Sequence, residues 1–313
     1  MNLSGPEPTV SFSSDDVLRF AEWSSDRNPL HVHAAYARDT HFGQQVVHGI
    51  LTVLTALKGN GGRPGLLREL DIEFRNAVVL DTSYRAALDQ DGEGLRATLS
   101  NGDQLVLSVR GSGREPAVPS GLDLSWLPRA TNAVRTTPLW HSIVELAEGT
   151  SAIGAYTAPP PDGLIDGSAL SATAVRVLGL ASYVTGMEVP GLTSLFTRVT
   201  MSLHGEAGDD EPLLYRARTT RFDRAFRLLD TELVVATAGG VLLATGLLRS
   251  YVPFSPVRTD LERLAGRLTD ATGALSGKVA LVTGGSRGLG ADIAATLALA
   301  GAHVYASARH VPE

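Results

Sequence analysis

The chain has no cysteine, which excludes disulfides, thiol nucleophiles and thiolate metal sites and leaves thiol usage silent on compartment. No apolar run approaches the roughly 20 residues needed to span a bilayer. Met1 to Asp16 lacks a basic segment followed by an apolar one, so a cytoplasmic protein with no membrane partner is expected. Positive charge is in short supply, with a formal net charge of -6, which argues against a broad nucleic-acid or anionic-membrane surface. What is present is an ordinary globular composition, 43% hydrophobic and 19% charged over 313 residues. That is enough to bury a sizeable core, and the length suggests about two domains.

One stretch organises the rest, from Trp23 to Leu57. Ser24-Ser25-Asp26-Arg27-Asn28-Pro29-Leu30-His31 is a polar turn stiffened by Pro29, and it leads through Phe42-Gly43 to Val47-His48-Gly49. Ahead of it, Ser13 or Ser14 before Asp15-Asp16 and an apolar periodic run marks a helix that ends near Trp23. After it, Ala34 to Arg38 reads as a short helix. Gly49 to Lys58 is apolar nearly all round, the pattern of a helix wrapped by other structure. Strands are expected at Glu69–Arg75, Thr82–Leu88, Leu95–Leu99 and Gln104–Arg110, with Asp91-Gly92 and Asn101-Gly102 as hairpin turns. Together these describe a sheet curled around one buried helix.

The pattern then repeats. Pro190-Gly191-Leu192 precedes Ser194–Leu203 as Pro64-Gly65-Leu66 precedes Glu69–Arg75, an offset of 126 residues (190 minus 64). The second copy has an apolar helix over about Gly167–Val184 and strands at Leu213–Thr219, Arg227–Ala238 and Leu242–Tyr251. Only the first copy carries the Asp, Asn and His turn. The expected organisation is a first unit over 1–110, a Gly-, Pro- and Ser-rich linker over 111–134, a second unit over 135–255 that is non-catalytic, a linker helix over 256–274, and a different unit over 275–313.

The motif Ser-Asp-Arg-Asn-Pro-Leu-His with Phe-Gly and Val-His-Gly resembles the signature of the MaoC-like, R-specific enoyl-thioester hydratases, over roughly Val17 to Arg110. The family usually has glycine where this chain has Ser25. The resemblance implies an α+β architecture, a tandem (double) hot-dog fold in which each antiparallel sheet wraps a buried helix. It implies dehydration of a 3-hydroxyacyl thioester, or its reverse, in fatty-acid or polyketide metabolism. Asp26 and His31 are then the acid/base pair and the Gly49 amide binds the thioester carbonyl. The substrate arm is coenzyme A or an acyl carrier protein, no cofactor is required, and the chain is a monomeric pseudo-dimer or a homodimer.

The residues support that chemistry on their own terms. Removing water needs a base for the C2 proton, an acid for the departing hydroxyl and a donor for the enolate-like oxygen. Asp26 and His31 supply the two proton positions, whose roles exchange between forward and reverse reactions. Gly49 supplies an amide at a helix N-terminus and permits close approach. Asn28 orients the turn, and His48 supports the loop. No metal site is expected, because no pair among His31, His33, His41 and His48 has the i, i+4 spacing with a carboxylate that a zinc helix needs. Alternatives on the same fold are an acyl-thioesterase and a non-catalytic acyl-thioester-binding or docking module.

Pro161-Asp162-Gly163-Leu164-Ile165-Asp166-Gly167-Ser168-Ala169-Leu170 resembles the stretch carrying the catalytic Asp in the second hot dog of polyketide-synthase dehydratases, which makes Asp166 a candidate second acid; its plainer role is a helix cap. Arg216, Arg218, Arg221, Arg224 and Arg227 form a cluster that could hold a phosphate or dock a carrier, although a solvated charged face is the simpler reading. Asp260 to Asp270 makes an amphipathic helix. Gly277 to Thr283 then reads as a buried strand entering Gly284-Gly285-Ser286-Arg287-Gly288-Leu289-Gly290, a helix and a second strand at His303–Ala308. The Thr-Gly-x-x-x-Gly-x-Gly spacing resembles the start of a short-chain dehydrogenase, with Gly284, Gly288 and Gly290 at the phosphate turn. Arg287 and Arg309 stand where a basic residue favours NADP, a cofactor expected only for a complete downstream ketoreductase.

Overall fold

Ser13 starts the first helix, α1 (Ser14–Ser24), through a reciprocal capping box with Asp16. The helix ends at Ser25 in the left-handed region, φ 59°. In this computed structural model the described residues are 8–58, 67–91, 94–158, 169–254, 259–268, 271–286 and 288–308. Two short helices follow, α2 (Pro29–Val32), capped by Asn28 with Pro29 at its first position, and α3 (Ala34–Asp39). Next comes α4 (Gly49–Ala56), whose Ile50, Leu51, Val53, Leu54 and Ala56 are all buried. The first repeat's strands are β1 (Thr9–Val10), β2 (Glu69–Phe74), β3 (Tyr84–Asp91), β4 (Gly94–Asn101) and β5 (Gln104–Ser112). Asn101 pairs with Gln104 across the predicted turn, with Gly102 at φ 56°. Gly92 of the other hairpin signal and Pro64-Gly65-Leu66 lie outside the described residues.

The second repeat comprises α5 (Ile143–Glu148), β6 (Ser151–Tyr156), α6 (Ala172–Tyr183), β7 (Leu195–Leu203), β8 (Leu213–Asp223), β9 (Leu228–Ala236) and β10 (Leu242–Tyr251). Composition did not flag α5 or β6. All ten strands form one sheet in the order β1-β3-β4-β5-β2-β7-β10-β9-β8-β6. The order reads the same inward from either end, and the halves meet where β2 and β7 pair antiparallel. There Ile72 faces Val199 and Glu73 faces Arg198. Ile72 and Arg198 occupy equivalent positions at the sequence offset, so this crossing is a pseudo-twofold axis and the chain is an α+β double hot dog.

The repeats share one hydrophobic core through α4 and α6. A Cβ at Gly179 would strike the Trp23 ring, and the Tyr156 hydroxyl donates to the Ser24 carbonyl at 3.2 Å. The polar turn of the first repeat therefore rests on the helix of the second. The Gly- and Pro-rich connector is also anchored. Trp126 is fully buried against Val234, with Ile153, Leu214 and Leu242 beside it, and its indole N–H donates to the Asp123 carbonyl at 3.0 Å.

Most arginines of the cluster have partners within the chain. Arg216 pairs with Asp123 and lies over Trp126, Arg218 pairs with Glu232, Arg221 with Asp223, and Arg227 donates to the carbonyls of Val252 and Pro253. Arg224 is exposed. Local ion pairing and loop closure use the charge that sequence alone left available.

The chain divides into two compact units, Met1–Arg38 with Phe42–Pro253, and Asp39–His41 with Phe254–Glu313. In the second, α7 (Leu261–Arg267) is capped by Asp260, and β11 (Val279–Thr283), α8 (Gly288–Leu299) and β12 (His303–Ser307) make a strand–helix–strand. Its strands are parallel, Val279 opposite His303. The expected burial of the first strand is corrected. Val279 and Leu281 are 71% and 72% exposed, because among the described residues only one face of this two-stranded sheet has a helix to cover it.

Candidate active site

Asp26 is set in place by the end of α1. Ser24 back-bonds to the Phe20 carbonyl and its hydroxyl accepts from the Asp26 N–H at 3.2 Å, while Ser25 takes the left-handed conformation that turns the chain. That geometry gives a physical reason for glycine at this position in the family, since a Cβ is strained there. Asn28 does more than orient the turn. Its carbonyl oxygen caps α2 by accepting from the Leu30 N–H at 3.1 Å, and its amide donates to the carbonyls of Gly186, Gly191 and Leu192 at 3.1 to 3.3 Å. It therefore ties the turn to the second repeat.

The Asp26 carboxylate is buried. Oδ2 accepts from the Ser182 hydroxyl at 2.7 Å and Oδ1 from the Asn28 N–H at 3.3 Å. Burial pushes its pKa above the ordinary 3.8, opposed by the neighbouring His31 and by those two hydrogen bonds. His31, on α2, has its Nδ1 2.7 Å from the Val46 carbonyl. A carbonyl only accepts, so Nδ1 carries the hydrogen and Nε2 of the neutral ring is left as a base.

His48 stacks on His31 with ring centroids 3.9 Å apart, and its Nε2–H donates to the Asp26 carbonyl at 3.0 Å. Burial, reinforced by His31, drives its pKa well below 6.5 despite that bond, so His48 is a neutral spacer. Asp26, His31 and His48 bring possible metal-ligating atoms within 4.8 Å of one another. The two imidazoles lie face to face, 30° from parallel, so their in-plane lone pairs run side by side rather than converge on one ion. His33 and His41 are exposed.

Gly49 is the first residue of α4, so its N–H has no carbonyl one turn back and sits at the positive helix end. The Phe74 ring lies where a side chain would go, 2.8 Å from an added Cβ, so a larger residue would have to displace it. Asp26, His31 and Gly49 line one cavity of about 330 Å³. Phe42, Phe74, Val106, Phe196 and Tyr251 make its walls, with Phe74 and Phe196 stacked at 5.4 Å across the two repeats.

The second repeat contributes Ser182, Thr185 and Gly186, none of which sequence reading singled out. A Cβ on Gly186 would collide with the Asp26 carboxylate. The usable signal was an apolar helix interrupted by Ser182, Thr185 and Gly186, but the Asp26 that Ser182 bonds lies 156 residues away. Asp166 and Arg309 lie outside the described residues. Gly284 and Gly288 have positive φ, 69° and 54°, and a Cβ on Gly290 would run into the Gly284 carbonyl. At these three positions a side chain is disfavoured, by backbone conformation at Gly284 and Gly288 and by close approach at Gly290.

Comparisons with known proteins bear on the family and the fold. A family model described as a MaoC like domain matches residues 4–103. A 3-hydroxybutyryl-CoA dehydratase of Methylorubrum extorquens (strain AM1) is 48% identical over 106 residues, covering 30% of this chain and 68% of that protein. Among solved structures, a MaoC-like dehydratase is similar at a TM-score of 0.53 with 12% identity, covering 80% of this chain and 99% of that one. A MaoC domain protein from Chloroflexus aurantiacus J-10-fl gives 0.52 with 11% identity, covering 80% and 96%. At such identities the two structures speak for the fold.

Proposed function

The chain belongs to the MaoC-like dehydratase family and is a hydro-lyase of 3-hydroxyacyl thioesters, and on that premise we propose that Asp26, His31 and the Gly49 amide carry out the elimination. The observation behind this reading is that an acid, a base and an oxyanion donor border one apolar cavity. The thioester oxygen accepts from the Gly49 N–H. His31 Nε2 takes the C2 proton, and the negative charge that builds on the thioester oxygen is stabilised by that N–H and the α4 terminus. The C3–O bond breaks as Asp26 gives its proton to the oxygen, forming water and the enoyl thioester. The elevated pKa of Asp26 favours the acid form, and the Ser182 hydroxyl and Asn28 N–H receive the carboxylate that remains. Hydration runs the same steps backwards.

Dehydration in this family needs no cofactor, so the proton transfers fall to the chain's own side chains. The substrate arm is coenzyme A in this reading, as in the name of the curated relative, with a carrier protein as the alternative. Both repeats line the cavity, which supports a monomeric pseudo-dimer. Among the described residues no helix is long and apolar enough to cross a membrane. We read residues 279–307 as the start of a short-chain-dehydrogenase unit, whose glycine turn suits the phosphates of NADP. A reductase of that class makes 3-hydroxyacyl thioesters, which sets the pair in fatty-acid or polyketide assembly with dehydration as the working direction.

The test is turnover of 3-hydroxyacyl thioesters of both C3 configurations, on coenzyme A and on a carrier protein. Formation of enoyl thioester from the R series supports the reading. Release of free thiol would point to a thioesterase, and saturable binding without turnover to a docking module.

A further inference from the structure

Thr185 lies on the π-helical turn Val184–Glu188 that continues α6, and it is 2% exposed. It lines the cavity, yet its Oγ1 has no hydrogen-bond partner among the described residues. Three other hydroxyls on the same cavity are occupied. Thr52 bonds to the Gly49 carbonyl at 2.6 Å, Ser182 to Asp26 at 2.7 Å and Thr197 to the Arg249 carbonyl at 3.1 Å. A buried hydroxyl without a partner is unfavourable unless something else fills its valence.

The position is rigid and lies at the reacting end. The next residue, Gly186, packs directly on the Asp26 carboxylate. Asn28 holds the Gly186 carbonyl at 3.1 Å, and the Gly191 N–H holds that of Thr185 at 3.0 Å. Acyl carbons offer this hydroxyl nothing. The thioester oxygen belongs to Gly49, at the start of the other repeat's helix. The remaining substrate oxygen is the one on C3, which the reaction brings to Asp26.

We propose that the Thr185 hydroxyl contacts the substrate's C3 oxygen, donating to one lone pair while the other takes the Asp26 proton. This rests on the dehydratase reading and deepens it. The second repeat then supplies a group that touches the leaving oxygen as well as a wall. As the C3–O bond breaks, the donated hydrogen bond lowers the charge on the departing oxygen, and it holds the water formed until release.

The test uses binding, so it does not depend on turnover. In a His31→Gln background that halts elimination, calorimetry compares 3-hydroxybutyryl-CoA with butyryl-CoA, which lacks the C3 oxygen. The protein with Thr185 is expected to prefer the hydroxylated ligand by about five- to tenfold, the yield of one hydrogen bond. Thr185→Val should cut that preference several-fold, leaving only what Asp26 contributes, with butyryl-CoA affinity unchanged, and Thr185→Ser should restore it. The same preference in Thr185→Val as in the parent overturns the proposal, as does an equal loss for both ligands. If the preference drops as expected but the protein with His31 intact eliminates no water, the Thr185 contact stands and the dehydratase reading falls.

Discussion

Adding one methyl group at Gly186 should disable the site without touching the signature motif. An ideal Cβ there would lie 2.6 Å from the Asp26 carboxylate carbon and closer still to one of its oxygens. The Gly186 backbone is not free to retreat, because its carbonyl is held by the Asn28 amide at 3.1 Å. The carboxylate therefore has to withdraw by about 1 Å and loosen its 2.7 Å bond to Ser182, and a displacement of that size costs about 10²-fold in rate. Overpacking also destabilises by about 1–3 kcal/mol. The assay is kcat for water loss from 3-hydroxybutyryl-CoA by Gly186→Ala, with the folded fraction fixed by thermal unfolding. Gly266→Ala is the control, since nothing lies within 4 Å of that position. A folded Gly186→Ala protein with kcat within a few-fold of the parent would refute the argument.

Ser25→Gly should raise stability by about 1 kcal/mol by relieving a left-handed residue, read as a higher Tm with unchanged turnover. Asp26→Asn should stabilise the fold at neutral pH. The folded-state pKa of Asp26 lies above 3.8, so its contribution is present at low pH and lost as pH rises through the folded pKa. The gap between variant and parent in denaturant titrations should therefore open over that rise, and a gap independent of pH would contradict the burial argument. Ser182→Ala removes a donor that lowers the Asp26 pKa, so the alkaline limb of the dehydration profile that belongs to Asp26 should move to higher pH.

Much of the fold was legible because it is local. The Ser13 cap, the buried helix from Gly49 and the Asn101-Gly102 turn each follow from spacing within a short window, and the repeat offset from matching two such windows. The Asp26, Asn28, His31 and Gly49 set is likewise carried by one continuous stretch. What it packs against could not be read there. Ser182 and Gly186 reach Asp26, and Thr185 the same cavity, only because the pseudo-twofold brings the second repeat's helix beside α4, and a serine, a threonine and a glycine in an apolar helix carry no chemical signature alone. The partners of the arginine cluster could not be read either. Its members are close in sequence, but their acidic and carbonyl partners, such as Asp123 and Val252, come from elsewhere in the chain. Val279 and Leu281 read as core because a continuous apolar run reports apolar character, whereas burial requires a covering layer.

The most direct measurement follows water loss from (R)-3-hydroxybutyryl-CoA by mass spectrometry for the parent, Asp26→Asn and His31→Gln. The account predicts enoyl-CoA formation by the parent and a fall of about 10²–10⁴-fold in each variant, the usual yield of a positioned acid or base. Both variants eliminating water at the parent's rate would contradict it.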